Sequence, residues 1–419
     1  MKSPTLPLAL YAAATGLLEP LAPVLLRSRA GKGKEDPHRL GERLARSTAA
    51  RPDGPLIWLH GVSVGESLSL LPLVAALRER RPNVGLLVTS GTVTSAALLA
   101  QRLPAGVIHQ FAPVDSPAAA ARFLDHWRPS AALFVESELW PNLILAAKAR
   151  GVRLALLSAR MTQASAQGWA RAPASAKALL AAFDLVLPQD AATQTRLRAL
   201  GAATGPALNL KLAGPPPPVD AALVAALKSA IAGRKVVLAA STHPGEEPLI
   251  AGAVPADALL IVAPRHPERG PQIAADLTAG GFKVARRAAG EPLTEDTTAY
   301  VADTLGEMGA LLSVADVVVM GGSFVDGIGG HNPLEPARLA RAIVTGPHAF
   351  NARDVYAAMF AEVAALEAAD AQALARHLRG LLDNPMIARR IGEAAFAYAN
   401  RQGAALEAAL ILLDPLLPS

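Results

Sequence analysis

The chain has 419 residues, 52 % of them hydrophobic, which is enough apolar material for two cores and too much for a disordered chain. Its formal net charge of +5 suits an anionic partner, but the 40 Lys and Arg are scattered and only 4 % of residues are aromatic, which argues against base-stacking platforms and a nucleic-acid partner. The absence of cysteine rules out disulfides, thiolate catalysis and cysteine-zinc sites.

The N-terminus departs from a soluble pattern. Leu6 to Leu26 is apolar over about the helical thickness of a membrane, yet it carries Glu19 and the prolines Pro7, Pro20 and Pro23, which make it a poor spanning helix. Arg27, Arg29, Lys32 and Lys34 follow, the basic flank expected on the cytoplasmic side of a membrane anchor. A cleaved signal peptide is the alternative, with Lys2 and the run Ala12 to Ala14 as its features. Because the apolar stretch continues past any cleavage point there, residues 1–34 are read as a peripheral or shallow anchor.

From Pro55 the pattern alternates strand and helix. Strands are expected at 57–60, 84–89, 107–111, 131–135, 153–158 and 183–187, separated by helices at 66–80, 93–102, 118–126, 142–149 and 192–200. Short β-branched runs between amphipathic helices mean a parallel, doubly wound α/β sheet, and such sheets bind ligands beyond the carboxyl ends of their strands. Gly214 to Pro218 (GPPPP) is neither helix nor central strand and reads as a stiff linker. A second series follows, with strands at 235–239, 259–263, 283–286, 300–301, 315–320 and 342–344. The expected organisation is therefore an anchor at 1–34 and two Rossmann-like domains, 35–212 and 213–419, with a cleft between them.

The most distinctive stretch is Met320 to Ala337, MGGSFVDGIGGHNPLEPA. Gly321, Gly322 and Ser323 follow a buried strand, and the glycines permit the positive φ angles and close approach that a phosphate cradle needs. Asn332 and Pro333 suit the opening of a helix, so the amides after them, at Leu334 and Glu335, are expected to face the glycine pocket. Glu335 is placed to accept hydrogen bonds from ribose hydroxyls. A glycine-rich loop of purely structural kind is the alternative. Pro264-Arg265 ends another strand, where a guanidinium can fork onto phosphate oxygens, and Leu305-Gly306-Glu307 precedes a helix that can close over a base or ribose.

In the first series, Glu66 of Ser63-Val64-Gly65-Glu66 lies at the mouth of the sheet, one turn into a helix. It is placed for chemistry, although merely complementing the helix dipole is the plainer role. Glu136 and Glu138 follow another strand at the same edge, and alternation predicts that they share one side, Glu136 as a support and Glu138 as an orienter of the site. No cluster has metal-ligand spacing and there is no DxD pair, so no metal or other cofactor is expected.

The segments SVGE (63–66), ESELWPN (136–142), STHPGEE (241–247), PRHPER (264–269), GGSFVDGIGGHNPLEPA (321–337) and GPHAFNARD (346–354) together resemble the bacterial 3-deoxy-D-manno-octulosonic acid (Kdo) transferases of lipopolysaccharide synthesis. The resemblance covers nearly the whole chain. It implies a two-domain GT-B glycosyltransferase at the cytoplasmic face of the inner membrane, with CMP-Kdo as donor and a lipid A precursor as acceptor. It implies Glu66 as general base, an acceptor domain at 35–212, and CMP contacts at Pro264-Arg265, Leu305-Gly306-Glu307 and Asn332-Pro333-Leu334-Glu335. One departure stands out: the family's Gly-x-x-Lys-x-Asp run is here Leu208-Asn209-Leu210-Lys211-Leu212-Ala213, without the acid. The alternatives are another GT-B transferase using a nucleotide-diphosphate sugar, such as a UDP-sugar, and a non-enzymatic, membrane-peripheral glycolipid-binding protein.

Overall fold

A computed structural model describes residues 4–214 and 216–419 of the chain, so Lys2 of the signal-peptide alternative and Pro215 of the proline run lie outside them. Contacts divide the chain into two compact units, Met1–Gly214 with Gln402–Ser419, and Pro215–Arg401.

The first unit is built on six parallel strands, β1 (Leu56–His60), β2 (Gly85–Ser90), β3 (Ile108–Phe111), β4 (Ala131–Val135), β5 (Arg153–Ala159) and β6 (Leu185–Pro188), in the order β3-β2-β1-β4-β5-β6. Every residue of β1 and β4 is buried, as parallel strands covered by helices on both faces require. Trp58 anchors one face, its ring 4.8 Å from that of Phe123 and 5.0 Å from that of Phe134; truncating such a buried aromatic costs about 3–5 kcal/mol. The strand order reverses between β1 and β4, so the loops after these two strands flank the crevice.

The second unit has seven parallel strands, β7 (Lys235–Thr242), β8 (Ala258–Pro264), β9 (Val284–Arg286), β10 (Ala299–Val301), β11 (Val317–Met320), β12 (Ala342–Thr345) and β13 (Leu366–Glu367), in the order β13-β12-β11-β7-β8-β10-β9. Here the order reverses between β7 and β11. The two-residue β13 is not among the strands expected from the sequence.

The helix Pro385–Leu413 begins in the second unit and ends in the first. Its last turns place Leu406, Ala409, Leu410 and Leu413 in one cluster with Leu70, Leu73 and Leu77 of helix Val64–Arg80, and Arg81 pairs with Asp414 at 2.5 Å. The expected domain 213–419 therefore differs from the compact unit in its last turns, because apolar burial against helix Val64–Arg80 claims them.

The N-terminal segment forms helix Leu6–Leu18, a 3-10 turn Glu19–Leu21 and helix Ala22–Ala30. The stretch Leu6–Ala30 is long and apolar enough to cross a membrane by length and composition. Its polar groups are tied to the first unit: Glu19 accepts hydrogen bonds from Ser116 Oγ at 2.5 Å and Arg122 at 2.7 Å, and Tyr11 donates to Asp115 at 3.0 Å. Glu19, a liability in hydrocarbon, thus faces a cation, while Leu6, Leu10, Leu17 and Leu21 on the other side are exposed.

Candidate active site

The loop after β1 turns sharply into helix Val64–Arg80 through a capping box: Glu66 N donates to Ser63 Oγ at 3.3 Å, and the Glu66 carboxylate accepts from Val62 N at 2.6 Å and Ser63 Oγ at 2.9 Å. The plain helix-capping role and a placement suited to chemistry thus coincide in one side chain. Glu66 is buried, and burial raises its carboxyl above the ordinary carboxylate range, with the charges of Glu138 and then Glu136 adding to the rise and the Val62 and Ser63 hydrogen bonds opposing it. A carboxylate raised in this way is a better proton acceptor near neutral pH.

Glu136 and Glu138 take different partners. Glu136 adopts φ +57°, a left-handed conformation uncommon outside glycine, which breaks the alternation immediately after β4. Its carboxylate instead meets Lys211 Nζ at 2.6 Å. Glu138 Oε2 accepts from Trp140 Nε1 at 2.5 Å and lies 3.7 Å from His60 Nε2. Both carboxylates still act on Glu66 through their charge.

Lys211 lies in the 3-10 turn Leu210–Leu212, which Asn209 caps by accepting from the Lys211 amide at 3.2 Å. The sequence reading quoted Lys211 only within a departing motif, and nothing local in the sequence couples it to Glu136. Ala213, where the acid is missing, is buried beside this turn, in the same apolar cluster as Leu208 and Leu210.

In the second unit the glycine loop after β11 is spoken for. The Glu246 carboxylate accepts the amides of Gly322 at 2.7 Å, Ser323 at 3.0 Å and Phe324 at 2.9 Å, together with His243 N at 2.9 Å. The Ser323 hydroxyl donates to Met320 O at 2.6 Å and accepts from Gly346 N at 2.7 Å. At Gly321 a Cβ would stand 2.5 Å from Ser241 O, so glycine is needed there for β7 and β11 to approach. The phosphate-cradle reading of these amides is thereby corrected to a structural one: Gly322 and Ser323 donate to an internal carboxylate, and Gly321 N donates to Ala240 O at 2.8 Å.

What lies open at this switch point is different. His243 Nε2 and His331 Nε2 stand 2.9 Å apart, with ring planes 15° from parallel. Burial, the neighbouring imidazole and the Arg265 charge push His331 down to about 4, and burial also lowers His243, so both rings are neutral at pH 7 and one donates to the other. Arg265, exposed at the end of β8, has no ion pair among the described residues, and its preceding Pro264 is buried. Neither imidazole was assigned a role in the sequence reading, since their proximity depends on loops from different strands.

The remaining expected donor residues fall at the same sheet edge. Helix Leu334–Arg338 begins one residue later than its sequence suggests: Pro333 is the cap position, and Asn332 Oδ1 accepts from the Leu334 amide at 3.1 Å, which takes that amide out of any pocket. Glu335 is exposed. Glu307 accepts from Arg287 at 2.8 Å and 3.1 Å, and this pairing lowers its carboxyl below the usual range. Gly306 takes φ +86°, and Leu305 beside it is exposed.

Two parallel doubly wound units of this kind make a GT-B architecture, and a glycosyltransferase from Rickettsia africae ESF-5 shares the fold, with a TM-score of 0.54 at 10 % identity over 87 % of this chain and 99 % of that one. Residues 38–213 match the family model described as 3-Deoxy-D-manno-octulosonic-acid transferase (kdotransferase). Over longer stretches, the chain is 32 % identical to the 3-deoxy-D-manno-octulosonic acid transferase of Rickettsia bellii (98 % of this chain, 99 % of that one). It is also 38 % identical to a probable mitochondrial 3-deoxy-D-manno-octulosonic acid transferase of Arabidopsis thaliana (81 % and 79 %). The chain belongs to the 3-deoxy-D-manno-octulosonic acid transferase family and is a glycosyltransferase.

Proposed function

We propose that the enzyme moves Kdo from CMP-Kdo to a hydroxyl of a lipid A precursor with inversion at the anomeric carbon. Glu66 removes the acceptor hydroxyl proton as the oxygen bonds to the anomeric carbon, and the bond to the phosphate oxygen breaks with its electron pair leaving on CMP. No covalent intermediate is needed. Lys211, held by Glu136, supplies a cation near the base, and Glu138 orients the acceptor. Arg265 and the neutral His243–His331 pair meet the departing phosphate, Leu305 covers the base, and Glu307, Asn332 and Glu335 take nucleoside hydroxyls; preorganised donors of this sort are often worth a few kcal/mol each. A single phosphate needs less neutralising charge than a diphosphate, so the reading requires no metal.

The observation that carries this reading is Glu66, a buried carboxylate raised by its surroundings at the switch point of the first sheet, in a chain of the Kdo transferase family. The N-terminal segment, apolar on its free side, supports work at the inner-membrane surface where a lipid acceptor lies. The test is to incubate the protein with a CMP-Kdo generating system and tetra-acylated lipid A precursor and to read product masses. Addition of Kdo is expected; a protein that binds UDP in preference to CMP and gives no Kdo product overturns the proposal.

A further inference from the structure

His60 closes β1 with its side chain 1 % exposed, a polar group at the end of an otherwise apolar strand. Its Nδ1 is 2.8 Å from Thr89 Oγ1 on the neighbouring strand β2, and Thr89 also accepts from Trp58 Nε1 at 2.8 Å. An indole N–H can only donate, so it fills one lone pair of the Thr89 oxygen. The hydroxyl proton of Thr89 can go to His60 Nδ1 at 2.8 Å, or to Leu59 O at 3.5 Å with the remaining lone pair accepting from Nδ1–H. The Glu138 carboxylate beyond Nε2 favours the first arrangement, in which Nδ1 accepts and Nε2 carries an N–H.

Among the described residues His60 Nε2 is buried without a hydrogen-bond partner; Glu138 Oε2 lies 3.7 Å from it, and Asp115 is a second carboxylate within electrostatic reach of the ring. An unpaired donor in a packed interior is costly and is retained where it acts on something. The same Oε2 accepts from Trp140 Nε1 at 2.5 Å, so the indole holds the oxygen that Nε2 faces at 3.7 Å, while Oε1 takes no hydrogen bond among the described residues.

We propose that His60 is a positioning residue for the acceptor: the relay Trp58, Thr89, His60 presents an Nε2–H that, with Trp140, aims the Glu138 carboxylate so that its free Oε1 receives an acceptor sugar hydroxyl beside Glu66. The inference rests on the transfer reading above and adds to it a residue that touches neither substrate. Its chemistry requires only a neutral donor at the Nε2 position.

The experiment uses the full-length enzyme with CMP-Kdo and the lipid acceptor and compares His60→Leu, His60→Gln, Glu138→Gln and the double variant His60→Leu/Glu138→Gln, with thermal melts and CMP titrations as controls. His60→Leu is expected to lose about 10- to 100-fold in kcat/KM for the acceptor with CMP affinity unchanged, and His60→Gln, which restores a neutral N–H, to recover most of it. The double variant is expected to be no worse than the more damaged single one, because both act through one carboxylate. Should His60→Leu fail to fold, Thr89→Val, nearly isosteric, takes its place and is expected to show the same acceptor-specific loss. A folded His60→Leu or Thr89→Val with near-native acceptor kinetics, or losses that multiply in the double variant, overturns the proposal. Absence of Kdo transfer by the unaltered enzyme would instead refute the transfer reading.

Discussion

Glu246 Oε2 accepts the Gly322 amide at 2.7 Å, joining the loop after β7 to the loop after β11 at the switch point of the second sheet. The same buried carboxylate takes three further amides, those of His243, Ser323 and Phe324, and so holds the His243–His331 pair and the glycine loop in one piece. Glu246→Ala leaves four inward-facing donors without their acceptor, and at about 1–3 kcal/mol for each that stays dry the loss should reach about 3–5 kcal/mol. Differential scanning calorimetry is expected to show a melting point lower by roughly 10 °C, with Glu246→Gln, which keeps one acceptor oxygen, falling less.

Glu66→Gln keeps the shape of the capping box and removes the proposed base. Turnover should fall by about 10² to 10⁴ while CMP affinity is nearly kept. Single-turnover kinetics beside a CMP titration check this; near-native turnover in the folded variant would remove Glu66 from the mechanism.

The pH dependence follows from the charges around that base. Burial, Glu138 and Glu136 hold the Glu66 carboxyl above its ordinary range, so activity should fall on the acid side at a higher pH than an unperturbed glutamate would give. Glu138→Gln removes one of the two negative neighbours and lets Glu66 ionise more easily, so whatever activity remains should have its acid limb at lower pH. A limb that stays put or moves upward would show that Glu66 does not set it. For stability the sign is opposite to that of a salt-bridged carboxylate: a group raised in the folded state favours folding when protonated, and that contribution is lost as pH rises through its folded value.

If Arg265 and the two imidazoles meet the single phosphate as proposed, activity survives excess EDTA. Loss on chelation with recovery on adding magnesium would refute this.

The N-terminal segment buries its polar contacts against the first unit and leaves Leu10, Leu17 and Leu21 at 60, 81 and 61 % exposure. Substituting these three by glutamate spares the packed side, so the protein should stay folded but leave the membrane pellet in a flotation assay. Its activity on lipid in bilayers should fall far more than on detergent-dispersed lipid if the segment acts as an anchor through local concentration. A charged variant that still floats with vesicles, or a natural N-terminus cleaved near Ala14, contradicts a peripheral anchor.

The alternation of short apolar strands with amphipathic helices was legible in the chain, and with it two parallel sheets with the proposed site loops at the carboxyl ends of β1, β4, β7, β8, β10 and β11. Those signals are local: side-chain period, proline and glycine punctuation, and capping residues such as Ser63 act within a few positions of where they are read. Motif order went further and identified the family, because Glu66, Arg265 and Glu335 fall in recognisable runs. Which groups meet was decided by tertiary structure alone. Strand order brings Lys211 to Glu136, His60 to Glu138 and His243 to His331, pairs far apart in the chain that no local pattern links. It also assigns the glycine-loop amides to Glu246 rather than to a ligand, and draws the last helical turns back to Leu70 and Leu73. The physical reason is common to all of these. A buried charge or amide is satisfied by whichever partner the crossovers carry to it, and that choice belongs to the packing of the whole sheet.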